Sequence, residues 1–131
     1  MAAYNRRDRD YRACRALITD GSDDVVIPSP VLVEFDWVGS SRMSKDAFPT
    51  LLSDIAQGSY RVEPLLTPDY VRVIEIMRQY AGFDIGFVDA AVLAIVERLG
   101  EPKLATLDRR HFGVMKPRHV LNLLLLPELP A

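Results

Sequence analysis

Apolar side chains recur along this chain with two alternating rhythms. From Arg9 to Thr19 they fall at Tyr11, Cys14, Leu17 and Ile18, the spacing of a helix with one buried face, and Asp20-Gly21-Ser22-Asp23 breaks that pattern. Val25-Val26-Ile27 then reads as a short strand. Ser29-Pro30 has the form of a capping serine followed by proline at the first helical position, which predicts a helix over Pro30 to Val38 that stops at Gly39. Ser44 to Gln57 predicts another helix, starting late or kinked because of Pro49, and Tyr60 to Leu65 a strand. Thr67-Pro68 repeats the cap signature before Val71, Ile74, Met77 and Ala81, which recur at helical spacing up to Gly82. A helix over Phe87 to Leu99, closed by Gly100, leads to a strand over Lys103 to Leu107, and Val120 to Leu126 reads as a last strand.

Helices alternating with short apolar strands predict an α/β sandwich round a mainly parallel sheet. No repeat, linker or low-complexity tract interrupts residues 1–131, which are therefore read as a single domain. Ligands of such sheets bind beyond the carboxyl ends of the strands, where loops and helix starts converge. Asp108 directly follows an apolar strand, and Glu34 lies in the helix after the Val25 to Ile27 strand.

Composition narrows the chemistry. With 49% hydrophobic and 26% charged residues, the sequence has neither the low hydrophobicity of a disordered chain nor the ~20-residue apolar run of a membrane span. The first residues lack a signal peptide's apolar stretch, so a cytoplasmic location is expected. One cysteine, Cys14, excludes an internal disulfide and a cysteine zinc cage. The net charge of −2 offers no general polycation for nucleic acid, yet thirteen of the sixteen basic residues are arginines. That bias fits phosphate pairing and fits the codon usage of a GC-rich genome. The arginines cluster at Arg6, Arg7 and Arg9 and again at Arg109 and Arg110, beside His111.

Three carboxylates sit in apolar company. Glu34 has Pro30, Val31, Trp37 and Val38 as its helical neighbours, which predicts that its face is buried; Asp89 has Ile85, Gly86, Val92 and Leu93. A buried carboxylate is costly unless it is paired, protonated or bound to a metal. Taken singly, each is explained by a helix cap or an arginine partner, and Asp108 by an ordinary strand-to-turn junction. Taken jointly, all three can be brought by the topology to one sheet edge, and an oxygen-only cluster of that kind suits Mg²⁺ or Mn²⁺ and hydrolysis of a phosphodiester by an activated water. No nucleophile elbow, phosphate loop or His-Glu-x-x-His pattern competes with this reading.

The blocks Pro28-Ser29-Pro30-Val31-Leu32-Val33-Glu34, Phe87-Val88-Asp89-Ala90-Ala91-Val92-Leu93-Ala94 and Leu104-Ala105-Thr106-Leu107-Asp108-Arg109-Arg110-His111-Phe112 resemble the PIN-domain toxins of the VapC type, and the resemblance runs over essentially the whole chain. It implies a PIN-like three-layer sandwich and a metal-dependent endoribonuclease toxin of a type II toxin-antitoxin system. The implied partners are an RNA substrate, a small cognate antitoxin and a second copy in a homodimer, with no membrane. On the matching positions, Glu34, Asp89 and Asp108 are the acidic metal-site residues, serving Mg²⁺ or Mn²⁺. Asp84, near the loop entering the helix of the second block, has no motif match and is at most a supporting residue. Arg109, Arg110, Arg6 and Arg7 are the residues expected to guide RNA. The family pattern begins with an apolar strand, central in its sheet, that ends in an aspartate just ahead of the position of Met1. The chain is thus read as N-terminally shortened, lacking that strand and that first ligand. The competing expectation is a catalytically impaired PIN-like scaffold that binds antitoxin or RNA.

Overall fold

Phe35 is the hub of the first half of the molecule. Its ring meets Tyr4 edge-on at 6.1 Å and Phe48 at 5.4 Å, and with Ala47, Leu51 and Tyr60 it forms a buried cluster. A computed structural model describes residues 1–20 and 24–128, and the chain divides into two compact units, Met1–Glu63 and Pro64–Ala131.

In the first unit a 3-10 turn at Ala2–Tyr4 precedes α1 (Tyr11–Asp20), β1 (Val26–Pro28), α2 (Ser29–Arg42), α3 (Ala47–Ala56) and β2 (Arg61–Glu63). The expected helix break at Asp20 to Asp23 falls mostly on residues outside the described ones. Strands β1 and β2 pair in parallel with Ile27 opposite Val62. The α2 helix begins one residue earlier than its sequence suggests, with Pro28 at the cap and Pro30 inside the first turn. It also runs past Gly39 to Arg42. Gly39 is buried one turn after Phe35 inside the continuing helix, so it is not the helix stop; a Cβ there would come within 2.5 Å of the Met43 methyl group, which would have to move aside. The buried ridge of α2 is therefore Phe35 and Gly39. Val33 and Trp37 lie outside it, 74% and 81% exposed, and the expectation that the whole Glu34 face is buried is corrected: Glu34 is half-buried. The Tyr4 hydroxyl joins this core to α3 by donating to Asp54 and sharing a 2.7 Å hydrogen bond with the Tyr60 hydroxyl.

The second unit holds α4 (Thr67–Gln79), a 3-10 turn at Ala81–Phe83, α5 (Phe87–Leu99), β3 (Lys103–Ala105), α6 (Arg109–Val114) and β4 (Leu124–Leu126). Strands β3 and β4 are parallel, with Leu104 opposite Leu125. Among the described residues the strands thus form two two-stranded parallel sheets, β1-β2 and β3-β4, in the α/β arrangement the sequence predicts. Helix α5 is the spine of this unit. Its residues Ala90 through Val96 are all buried, and Gly100, with φ of 65°, closes it in the left-handed conformation that glycine adopts without a Cβ penalty. Helix α4 packs on α5, with Val73 and Ile76 buried on it and Tyr80 buried just past its end. Its more conspicuous apolar stripe, Val71, Ile74 and Met77, is exposed.

Buried and half-buried charges lock the two helices together. Asp69, 4% exposed, accepts the Leu66 N–H at 2.8 Å, capping α4, and receives Arg98 Nε from the end of α5 at 3.0 and 3.1 Å. Arg98 also donates to the Pro64 carbonyl. Arg72 grips both Glu97 oxygens at 2.6 and 2.9 Å. Because Asp69 both caps a helix and neutralises a partly buried guanidinium, Asp69→Ala is expected to lower the unfolding free energy by roughly 2–4 kcal/mol. Urea denaturation is the check; a loss below about 0.5 kcal/mol, the size of an ordinary surface substitution, would show that neither role matters.

Candidate metal centre

Two of the three carboxylates singled out in the sequence meet in the second unit. Asp89 stands in the first turn of α5, and Asp108 follows β3 as the cap of α6. The Asp108 oxygens have separate tasks. Its Oδ1 accepts the backbone N–H of His111 at 3.1 Å, which fixes the start of α6, and its own N–H is held by the Thr106 hydroxyl at 3.0 Å. Its Oδ2 is thereby turned toward the His111 ring, with Nδ1 3.0 Å away, and the same Nδ1 lies 2.9 Å from Asp89 Oδ2. One donor atom from each of Asp89, Asp108 and His111 lies within 4.8 Å of the others.

Electrostatics favours a cation here. Burial pushes the Asp89 carboxyl above the ordinary carboxylate range, the Asp108 charge pushes it further, and His111 opposes both. The raised value means that the ionised Asp89 is, on balance, held against its preference, and a positive charge at the cluster relieves desolvation and repulsion together. Two carboxylate oxygens and an imidazole nitrogen from one edge of the unit, only partly shielded, match a divalent ion that completes its shell with water and substrate oxygens. The donor set fits a metal.

The other expected residues are placed as follows. Glu34 lies on α2 in the first unit; burial pushes the Met1 amine down, while Cys14, Asp8 and Glu34 pull it back up. Arg6 and Arg7 are exposed between the N-terminal 3-10 turn and α1. Asp84 is exposed in a left-handed conformation (φ 56°) and is not part of the Asp89, Asp108 and His111 group. Arg110 is exposed at the start of α6. Arg109 is half-buried and donates from Nη2 to the Pro127 carbonyl, tying α6 to the end of β4. Phe112 is buried and anchors α6 from within.

His111 is the member of the site that sequence reasoning missed. It was grouped with its basic neighbours, although its place three residues after a capping aspartate puts its backbone and ring over the Asp108 carboxylate.

Residues 1–116 match the family model of the PIN domain. The chain is 26% identical over 117 residues to ribonuclease VapC26 of Mycobacterium tuberculosis, covering 89% of this chain and 87% of that protein. Its fold is similar to the crystal structure of M. tuberculosis VapC20, a toxin that cleaves the sarcin-ricin loop, with a TM-score of 0.70, 20% identity and 78% of each chain covered.

The raised Asp89 carboxyl gives a stability test. A group whose proton is held more tightly in the folded state favours folding below its unfolded pKa and loses that contribution as pH rises through the folded value. At pH 7 in EDTA, Asp89→Asn is therefore expected to unfold at a higher temperature than wild type. Saturating Mn²⁺ should reverse the order, since binding at 100 times Kd stabilises wild type by about 2.7 kcal/mol. If Asp89→Asn is the less stable protein in EDTA, the carboxylate is a structural partner of His111 and not a strained ligand.

Proposed function

The chain belongs to the PIN-domain family, and from that premise we propose that it is a divalent-metal-dependent endoribonuclease, the toxin of a type II toxin-antitoxin pair. The observation that carries the reading is the convergence of Asp89 and Asp108 with a desolvated, mutually repelling charge at the end of β3 and the start of α5. The similarity to a protein named ribonuclease VapC26 supports the reaction class. Glu34 joins the catalytic set through the family pattern of its block.

A bound Mg²⁺ or Mn²⁺ supplies positive charge for the scissile phosphate and lowers the pKa of an attacking water. The protein's part is to hold the carboxylates in place before RNA arrives. Asp108 keeps its orientation because its second oxygen is committed to the cap of α6, and Asp89 because the buried body of α5 fixes its backbone. In this reading Arg110, exposed one residue into α6, and the exposed Arg6 and Arg7 pair with RNA phosphates; their exposure supports the assignment. Contacts of this kind supply affinity and orientation rather than sequence choice. Arg109 belongs to the same reading, with its link to Pro127 setting the attitude of α6.

Protein partners are part of the proposal. The exposed Val33 and Trp37 on α2, and Tyr70, Val71 and Ile74 on α4, are apolar surfaces of the sort that a cognate antitoxin or a second copy covers. No helix among the described residues is long and apolar enough to cross a membrane; the cytoplasm is part of the proposal because cellular RNA, the substrate it assigns, is found there.

Incubation of the purified protein with total cellular RNA and Mg²⁺ or Mn²⁺ is expected to give discrete cleavage products. Asp89→Asn, Asp108→Asn and Glu34→Gln should each reduce the rate by at least about 100-fold, the order of effect expected when one charged catalytic group is lost. Cleavage that persists in EDTA, or in all three variants, would overturn the reading. Arg110→Ala should weaken RNA binding and lower the slope of log affinity against log salt by about one phosphate contact, ~0.7 for single strands. Arg109→Ala should change thermal stability more than that slope.

A further inference from the structure

We propose that His111 Nδ1 is a direct ligand of the catalytic cation, so that the site takes a first-row transition ion, exemplified by Mn²⁺, in preference to Mg²⁺. The inference rests on the reading of Asp89 and Asp108 as metal ligands and adds to it a nitrogen donor that fixes which ion is favoured.

The two distances from His111 Nδ1 are those of neighbouring ligands round one centre. Donor atoms ~2.1 Å from an octahedral ion and at right angles to each other are separated by ~3.0 Å. His111 Nδ1 lies 2.9 Å from Asp89 Oδ2 and 3.0 Å from Asp108 Oδ2, and no pair in the group exceeds 4.8 Å. These are also hydrogen-bonding distances, but a single N–H on Nδ1 can point squarely at only one of the two oxygens. A cation among the three atoms satisfies all of them at once, with Nδ1 giving up its proton and offering its lone pair.

The ring is held for that task by its own backbone. The His111 N–H is committed to Asp108 Oδ1, and the next residue, Phe112, is buried, so the imidazole does not have to be ordered when the ion arrives. The nearby Arg109 directs its guanidinium to the Pro127 carbonyl. Chemistry then sets the preference. Mg²⁺ favours an all-oxygen shell and keeps several waters, whereas imidazole binds progressively better along the series from Mn²⁺ through Fe²⁺ and Co²⁺. Replacing one oxygen ligand by imidazole moves selectivity away from Mg²⁺.

The test reads the ion rather than the reaction. Full-length wild type is titrated with Mn²⁺ alone and followed by loss of the free-ion electron paramagnetic resonance signal, with Mg²⁺ added as competitor. Electron spin echo modulation of the Mn²⁺-loaded protein reports a directly bound nitrogen without any substitution. Wild type is expected to bind Mn²⁺ at least about ten-fold more tightly than Mg²⁺ and to show ¹⁴N modulation of the size given by a ligating imidazole. His111→Ala, which keeps the backbone N–H that caps α6, should lose the modulation and bind Mn²⁺ about ten-fold more weakly, with Mg²⁺ affinity changed less. His119→Gln should keep the modulation. Absence of ¹⁴N modulation in wild type, unchanged Mn²⁺ affinity in His111→Ala, or failure of wild type to bind Mn²⁺ overturns the proposal. If RNA is cleaved but no nitrogen is bound, the ribonuclease reading stands and the ligand assignment falls. If nitrogen-ligated Mn²⁺ binds and no RNA is cleaved, the reverse holds.

Discussion

The second unit depends on the burial of one helix. Seven consecutive residues of α5, Ala90 to Val96, are enclosed on all sides, so the helix cannot rotate or slide without exposing apolar surface at ~25 cal/mol per Å². Asp89 is the residue immediately before that run. Its backbone is immobilised by packing that has nothing to do with catalysis, while its side chain emerges where the enclosure ends. A carboxylate there is half desolvated and cannot relax away from Asp108. The same burial that makes α5 a stable spine makes Asp89 a strained anion.

Charge pairs extend the constraint beyond α5. Glu97 and Arg98 sit near its far end, one paired with Arg72 and the other with Asp69, and both partners belong to α4. The Arg118 N–H returns to Glu97, and its guanidinium reaches Glu75, so the segment leading to β4 is fastened to the same two helices. The Tyr80 hydroxyl does the same for Lys116 by accepting its N–H at 2.7 Å. Because β4 pairs with β3, these contacts limit the freedom of the strand that delivers Asp108. Partly buried pairs of this type add little net stability over apolar packing, but they penalise every arrangement in which one partner is left alone.

The sequence was most informative where one residue type could serve only one structural purpose. Gly100, a glycine shortly after the apolar run of α5, marked the end of that helix, and Thr67-Pro68 marked the start of α4 to within one residue, since the cap is Leu66. Asp108 could be placed at a strand end, and its approach to Asp89 followed from the rule that such ends gather ligands. The pattern was silent about α6, whose six residues are too few to show a period, and it overextended the strands, since apolar residues at strand ends look the same whether or not they are paired. It also misjudged faces. Val71, Ile74 and Met77 define a helical stripe as clear as that of Val73, Ile76 and Tyr80, and periodicity alone does not say which one meets α5. Gly39 was read as a stop because its closeness to Phe35 and Met43 is visible only in three dimensions. His111 was obscured by Arg109 and Arg110: three basic residues in a row suggest one shared role, yet on a helix they point in different directions and do different work.

That divergence explains how so short a helix can serve a site. Successive residues on α6 project about 100° apart, so Arg109 turns to Pro127, Arg110 to solvent, His111 to the carboxylates and Phe112 to the interior. Six residues are below the length at which a helix is stable in isolation, and α6 persists because Asp108 caps its start and Phe112 pins its inner face. The cap and the candidate cation site are therefore built on the same carboxylate. Losing Asp108 would remove a donor atom and, at the same time, loosen the helix that presents His111. Metal affinity, the orientation of the imidazole and the exposure of Arg110 are thus coupled through one side chain, a connection that follows from the two oxygens of Asp108 facing different partners.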